Sequence, residues 1–274
     1  MAQNLATKYA KKVDERFALD SFTQGLAFNE DYDWVGSNAI KVYSVDTVAM
    51  GNYTRTGSDR YGVAGELGTT LATYALARDR SATWTIDKRN YQESQMAQEA
   101  GKSLARQTKE IVVPEIDVYR LAAFHTAAAG QTATLAITKD NAYLKLLEAQ
   151  EKLDNAKIPL TGRVAYVTPA YYNFLKQDPS FIKATDIAQK MLVKGQVGEV
   201  DGVKIIKVPT TYLPANAAFV LFHPSAVLAP KVLDDFKIHQ DPPGISGWLC
   251  EMRIVYDCFI LATKTGAFAR HQIA

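Results

Sequence analysis

Three short stretches of this sequence contain residue types that bind phosphate or present a nucleophile. Gly101-Lys102-Ser103 has the end of a phosphate-binding P-loop, but Met96 stands where the full motif needs a glycine, and the stretch lies inside a helical pattern. A glycine there instead indicates the close approach of another helix. Gly62-x-x-Gly65-x-x-Gly68 opens no helix, so it is not a dinucleotide fingerprint. Gly244-Ile245-Ser246-Gly247 misses the nucleophile-elbow pattern by one residue and is typical of a turn.

The side chains that bind metals or transfer protons are scattered along the chain. The four histidines have no metal-binding spacing; they are His125, His223, His239 and His271. The acidic pairs Asp31-x-Asp33 and Asp234-Asp235 have no third ligand and no neighbouring base, which favours solvated carboxylates. Cys250 and Cys258 lie about 26 Å apart if one strand carries both, so we predict two buried thiols that do not pair. The sequence thus predicts no catalytic residue, no cofactor and no metal site.

Composition excludes several other classes of protein. The 274 residues carry a formal charge of +2, which is too small for a dedicated nucleic-acid binder. No apolar run approaches the ~18 residues that a membrane span needs, so we expect no membrane partner. The 47 % hydrophobic and 22 % charged residues are ordinary for a globular protein.

Two segments have apolar residues without an evident partner in the same chain. Leu5, Tyr9, Val13 and Phe17 recur every four residues and predict a short helix with one narrow apolar stripe. Such a helix buries little by itself, so it needs another surface to cover the stripe.

The second such segment is a predicted hairpin with a long tip. Strand-like stretches at 40–50 and 71–87 flank twenty residues with five glycines, Gly51 to Thr70. A structureless loop of this length is uncommon inside a compact domain. Its tyrosines and arginines are types enriched at interfaces, which predicts a protruding contact arm, and a disordered loop is the alternative.

The remaining chain predicts a mixed α and β protein. A long helical pattern runs from Tyr91 to Ile111, and Pro114 should break or kink it and start a second helix that ends at Gly130. Residues 136–222 alternate between helix and strand, with Thr138 or Asp140 as the expected cap of the first helix. Apolar residues at every second position from Trp248 to Ala262 predict a long strand, which turns at 263–266 and returns at 267–273.

This order of parts resembles the major capsid proteins of tailed bacteriophages, the Hong Kong phage coat fold. Nearly the whole chain takes part in the resemblance. Three stretches carry it: VVPEIDVYRLAAFH from Val112 to His125, the stretch from Gly162 to Pro214, and the closing GWLCEMRIVYDCFILATKTGAFA. The resemblance implies an α+β fold with an N-terminal arm at 1–37 and an extended hairpin, the E-loop, at 38–88. It also implies a peripheral domain at 89–131 and 226–274 and an axial domain at 132–225.

The resemblance implies a structural protein that assembles with copies of itself. We expect hexamers and pentamers that form the icosahedral head of a tailed phage, with a separate scaffolding protein, a portal and non-specifically packaged double-stranded DNA as further partners. Assembly would take place in the host cytoplasm and the product would be the virion capsid. The residues expected at contacts between subunits lie in the arm and the hairpin: Leu5, Tyr9, Val13, Phe17, Tyr53, Arg55, Arg60, Tyr61, Glu66, Leu67, Arg78 and Arg80.

Three alternatives stay open at this point. An encapsulin has a similar fold but forms a shell around protein cargo. A soluble α/β enzyme would place its active site near the strand ends between residues 163 and 222. A monomeric binding module would leave the arm and the hairpin without a partner.

Overall fold

The computed structural model of the chain describes residues 20–24, 26, 28, 39–93, 100–180 and 198–273. The predicted apolar stripe of Leu5, Tyr9, Val13 and Phe17 lies outside these residues, as does the acidic pair at positions 31 and 33. The described chain contains both helices and two larger sheets, which confirms the predicted α+β class.

The predicted hairpin is present, but its strands are shorter than the sequence indicated. Strand β1 (Ala39–Val45) pairs antiparallel with β2 (Thr69–Ala75), from Ala39 opposite Ala75 to Val45 opposite Thr69. The second predicted strand was wrong as a single element, because the chain bends at residues 76 and 77 and continues as β3 (Arg78–Asp87) in another sheet.

That other sheet has three antiparallel strands in the order β10 (Lys231–Gln240), β11 (Gly247–Tyr256), β3. The predicted alternation is confirmed along β11, where Cys250, Met252, Ile254 and Tyr256 are buried against the helical side. Cys258 lies beyond the end of β11, so the two cysteines are not on one strand. Both are buried and unpaired, and burial raises the pKa of the Cys258 thiol to about 12.

The long helix continues through Pro114, which was expected to break or kink it, and a π-helical turn precedes the proline. The described helical segments are α1 (Lys88–Glu93), α2 (Ala100–Gln107), a π-helical turn (Thr108–Val112) and α3 (Val113–Ala127). The chain is helical without interruption from Ala100 to Ala127. The wider π turn directly precedes Pro114, where the missing N–H and the ring disturb regular α-helical bonding. Gly101 lies in α2 and faces open space among the described residues, so no described helix makes the close approach expected there.

A six-stranded mixed sheet forms the larger core. Its order is β4-β13-β8-β5-β7-β6, and its strands are β4 (Thr132–Thr134), β5 (Arg163–Val167), β6 (Glu199–Val200), β7 (Val203–Lys207), β8 (Ala217–Phe222) and β13 (Phe268–Gln272). Helices α4 (Ala142–Asn155) and α5 (Pro169–Gln177) cover one face, and α3 covers the other. Strands β5 and β8 are buried throughout, because both of their faces are covered.

The last strand does not return along β11 as predicted. Strand β13 pairs with β8 and β4 in the six-stranded sheet. Between them, β12 (Phe259–Ile260) pairs with β9 (Val227–Leu228), and a 3-10 segment at Ala262–Ala267 redirects the chain. These pairings lead the chain away from β11, so the closing residues complete the larger core.

In the α/β part, the start of one helix agrees with the sequence pattern and the start of another differs from the prediction. Helix α5 begins with Pro169, and the Thr168 hydroxyl accepts a hydrogen bond from the Tyr171 N–H, as proline at the first turn predicts. Helix α4 begins only at Ala142. The expected cap Thr138 instead donates its N–H to Asn141, in a turn before the helix.

His125 is buried where α3 meets β13. Its Nδ1 lies 3.0 Å from Arg270 Nη1, so the neutral ring accepts that N–H and carries its own proton on Nε2, which has no hydrogen-bond partner among the described residues. Burial lowers the pKa of His125, and the neighbouring Arg270 charge lowers it further. The pKa of His271 on β13 is also lowered, chiefly by burial.

These histidines predict an acid-sensitive fold. Because the folded-state pKa is below the unfolded value of ~6.5, the unfolded chain binds more protons below that pH, and stability falls as pH decreases. We expect the melting temperature of unassembled protein to fall between pH 7.5 and 5.5, measured by calorimetry. His125→Gln should flatten this dependence, whereas the exposed control His239→Gln should preserve it. A melting temperature that rises toward pH 5.5 contradicts the prediction.

Candidate inter-subunit contact surface

The hairpin of β1 and β2 has two different faces. On one face Ile40 lies opposite Tyr74, and these side chains are half-buried. Tyr74 attaches this face to the body of the protein, since its ring lies 5.5 Å from Phe259 and its hydroxyl accepts the Ala262 N–H at 3.0 Å. On the other face Tyr43 lies opposite Leu71, and both are exposed. An apolar pair of this kind on two neighbouring strands usually packs against another apolar surface.

Large apolar side chains are exposed along the whole hairpin. Met50 is 100 % exposed, Val63 is 93 % exposed and Tyr61 is 92 % exposed. The exposed members between positions 43 and 71 are Tyr43, Val45, Val48, Met50, Tyr53, Tyr61, Val63, Leu67 and Leu71. Isolated exposed apolar residues are common, but a dense group on one element marks an interaction surface.

The tip folds back on itself instead of extending without structure. The Thr54 N–H donates to the Arg60 carbonyl at 3.0 Å, and the Tyr53 and Tyr61 rings meet edge to face at 5.0 Å. Gly57 and Gly62 have φ angles of 97° and 86°, which other residues rarely adopt. Two of the five glycines of this segment therefore have a local cause, which is to close this turn.

The predicted contact residues of the hairpin separate into two groups. Those of the tip are all exposed; they are Tyr53, Arg55, Arg60, Tyr61, Glu66 and Leu67. Arg78 and Arg80 lie on β3 and have partners in their own chain. The Arg78 guanidinium is 4.5 Å from the centre of the Tyr119 ring, and Arg80 Nε donates to Glu115 at 2.7 Å. The side chains of the tip are thus exposed and, among the described residues, contact only one another or the tip backbone, whereas the two β3 arginines pack on α3.

A buried carboxylate that the sequence did not single out fixes the root of the N-terminal segment. Asp117 on α3 is 1 % exposed. It accepts the Ser21 hydroxyl at 2.8 Å, the Phe22 N–H at 2.8 Å and the Thr23 hydroxyl at 2.6 Å. The signal was an acid on the buried face of an otherwise apolar helical stretch, but its donors come from a segment about 95 residues away.

Two further side chains complete this attachment. Arg120 Nη1 donates to the Thr23 hydroxyl at 3.0 Å, and the Tyr166 hydroxyl donates to the Phe22 carbonyl at 2.8 Å. Burial lowers the pKa of Arg120, while the nearby Asp117 charge opposes that shift, and burial raises the pKa of Tyr166. Residues 21–23 are therefore held at a defined point on α3.

Neither surface has the features of a catalytic or metal site. Among the described residues, no group of three or more His, Cys, Asp or Glu side chains is placed to hold a metal ion. None of the described helices is long and apolar enough to cross a membrane. The arrangement consists of exposed apolar surface on the hairpin and a hydrogen-bonded network that holds residues 21–23 against α3.

Several solved structures have the same fold at low sequence identity. The capsid structure of the Cyanophage P-SCSP1u matches with a TM-score of 0.78 and 13 % identity, over 99 % of this chain and 93 % of that chain. A structure from Mycobacterium phage Che8 matches with a TM-score of 0.73 and 16 % identity, over 98 % of this chain and 97 % of that chain. The structure of a virus-like particle from Pyrococcus furiosus matches with a TM-score of 0.54 and 10 % identity, over 86 % of this chain and 86 % of that chain. Identities this low show the fold alone.

A comparison of sequences identifies the family. No curated protein sequence matches the chain. The family model described as phage capsid protein, however, matches residues 69–257, from the second hairpin strand to the end of the three-stranded sheet and well over half of the chain. The match includes α3 and the α/β core, where the sequence resemblance is strongest. The chain belongs to the phage capsid protein family.

Proposed function

We propose that this protein is the major capsid protein of a tailed phage and forms hexamers and pentamers in which each hairpin covers a neighbouring copy. The observation that carries the proposal is the row of nine exposed large apolar residues between Tyr43 and Leu71. Burying one such side chain contributes ~1.5–3 kcal/mol, whereas an exposed ion pair contributes ~0–1 kcal/mol. Apolar contacts, repeated on every copy, therefore dominate the stability of the shell.

Strand pairing and the predicted boundaries support the following assignment of arms and domains. We assign residues 1–37 to the N-terminal arm and its root. The hairpin proper comprises β1, β2 and the tip, and we place β3 with the peripheral domain because it pairs with β11. We place β13 with the axial domain at 132–225, because it pairs with β8. With β3 and β13 assigned in this way, the boundaries predicted at 88 and 226 move. Each of the two domains is then made of stretches that are not continuous in sequence.

The role we propose is structural and not catalytic. Double-stranded DNA is the expected content of the shell, contacted without sequence preference. A separate scaffolding protein and a portal are the expected assembly partners, and assembly takes place in the host cytoplasm. Contacts between copies are heterologous, so the arm of one subunit meets the body of the next, and closed symmetry gives a shell.

The encapsulin alternative is less well supported. The phage capsid structures match with TM-scores of 0.73 and 0.78, against 0.54 for the Pyrococcus furiosus particle. Particles isolated from their natural source should contain nucleic acid if the phage assignment holds. Protein cargo without nucleic acid would favour the alternative.

Assembly of the purified chain tests the proposal directly. We expect light scattering and negative-stain microscopy to show rings of five or six subunits or closed megadalton shells, because the apolar hairpin face lacks a cover within its own described chain. Salt should weaken this assembly only slightly, since exposed ion pairs contribute little. A strictly monomeric protein at every salt and crowding condition contradicts the proposal.

A further inference from the structure

The hairpin is joined to the body by a very short connection. Strand β2 ends at Ala75 and β3 begins at Arg78, yet these strands belong to different sheets. The direction in which β2 leaves the body therefore depends on residues 76 and 77, together with the contacts of Tyr74 to Phe259 and Ala262. A restricted direction lets copies of the chain make equivalent contacts with one another.

One buried carboxylate holds that bend. Asp257 directly follows β11 and is 2 % exposed. Its Oδ2 accepts the Ala77 N–H at 2.7 Å, and its Oδ1 accepts the Tyr119 hydroxyl at 2.6 Å and the Cys258 N–H at 2.8 Å. Both oxygens are thus occupied by donors from the bend, from α3 and from the chain after β11.

The neighbours of Asp257 make the attachment rigid. The Tyr119 ring meets the Tyr256 ring edge to face at 5.7 Å and lies under the Arg78 guanidinium. The Asp257 N–H in turn donates to the Pro230 carbonyl at 3.1 Å. Burial and the hydrogen bond to Asp257 raise the pKa of Tyr119, which keeps its hydroxyl a donor. The bend is tied to two elements of the body, α3 and the end of β11.

We propose that Asp257 is the positioning residue of the hairpin: through Ala77 and Tyr119 it fixes the angle at which the hairpin leaves the body and so the geometry of the contact with the next subunit. The proposal rests on the shell-forming function. It goes beyond that function by naming a residue that is buried within its own chain and still determines how copies meet.

Asp257→Asn in the full chain tests the proposal. The amide has one oxygen in place of two, so it cannot accept both the Ala77 N–H and the Tyr119 O–H. We expect hydrogen exchange of unassembled protein, followed by mass spectrometry, to be about tenfold faster or more in peptides covering residues 72–78. Peptides from β5 and β8 should exchange as in the wild type. We also expect the yield of closed shells of wild-type diameter to fall by about tenfold.

Two companion variants separate positioning from general stability. Tyr119→Phe removes one donor and keeps the ring under Arg78, and should accelerate exchange in the same peptides by about threefold. Asp79→Asn makes the same chemical change at an exposed ion pair with Arg253 on the neighbouring strand, and should leave exchange and shells unchanged. If Asp257→Asn does not fold, hydrogen exchange at residues 72–78 and shell yield in Tyr119→Phe test the proposal.

The outcomes distinguish this proposal from the proposed function. Wild-type exchange at residues 72–78 in the variants, equal acceleration throughout the chain, or faster exchange with normal shells each overturns the positioning role. A wild-type protein that never assembles overturns the shell function instead, while the exchange measurements still test the attachment of the hairpin.

Discussion

Asp117→Ala lowers the free energy of unfolding by ~3–5 kcal/mol, an effect expected when one member of a buried charged group is removed. Three donors of the N-terminal root lose their acceptor at once: the Ser21 and Thr23 hydroxyls and the Phe22 N–H. Arg120, whose pKa burial already lowers, loses the nearby negative charge. The remaining polar groups are left buried and only partly satisfied, which is more costly than the loss of an exposed contact.

Urea unfolding of unassembled protein measures this effect. The matched control is Asp234→Ala, which removes an exposed carboxylate paired with Lys231 and should change stability by ~1 kcal/mol or less. Asp117→Asn should fall between the two, because it keeps one acceptor. Limited proteolysis should also cleave the mutant chain near residues 20–24 faster than the wild type. If Asp117→Ala is no more destabilising than the control, Asp117 does not hold the root of the arm.

The local patterns of the sequence predicted the elements whose environment is uniform along their length. Strands β5 and β8 are short apolar runs bounded by turn residues, and both faces are buried, so every residue carries the same signal. The alternation along β11 was equally readable because one face of that strand meets α3. Helix α5 starts at Pro169, whose fixed φ suits the first turn of a helix.

The sequence did not predict in the same way which strands pair with each other. The sequence predicted β13 as a strand that returns after a turn, but its pairing with β8 depends on the path of the intervening chain through β12 and the 3-10 segment. Likewise, β2 and β3 form one continuous strand-like stretch. Their separation depends on different partners, β1 and β11, far away in the sequence.

The residues that hold the arms were missed for a related reason. The alternating pattern placed Asp257 on the solvent face of a strand, and nothing local to it signals burial. A carboxylate is stable inside a protein when donors surround it, and those donors come from Ala77 and Tyr119, at least 138 positions away. The exposed tip, in contrast, was predicted from its own composition, since Tyr and Arg spaced by glycines are unusual in a solvated linker. Its contact role stays a prediction.

Removing the tip of the hairpin should abolish shells and leave the folded subunit intact. In the sharpest design, residues 46–68 are replaced by Asn-Gly, which joins Val45 to Thr69 across their existing pair in a tight hairpin turn. The hydrogen bonds and ring contact of the tip described above lie within the tip, so the body loses no known support. Shortening the loop also reduces its closure entropy. We therefore expect a cooperative thermal transition close to that of the wild type.

The effect on assembly should be nearly complete, because six of the nine exposed apolar residues of the hairpin are deleted: Val48, Met50, Tyr53, Tyr61, Val63 and Leu67. At ~1.5–3 kcal/mol for each side chain that becomes buried, the lost contacts exceed what the remaining ion pairs can replace. Microscopy and sedimentation measure the shell yield. A full-length chain with Tyr61→Ser and Val63→Ser should lose most of that yield, whereas Ser58→Ala at the same tip should keep it. Normal shells from the shortened chain would show that the tip does not join the subunits and that the contact lies on β1 and β2, where Tyr43 and Leu71 would become the next residues to replace.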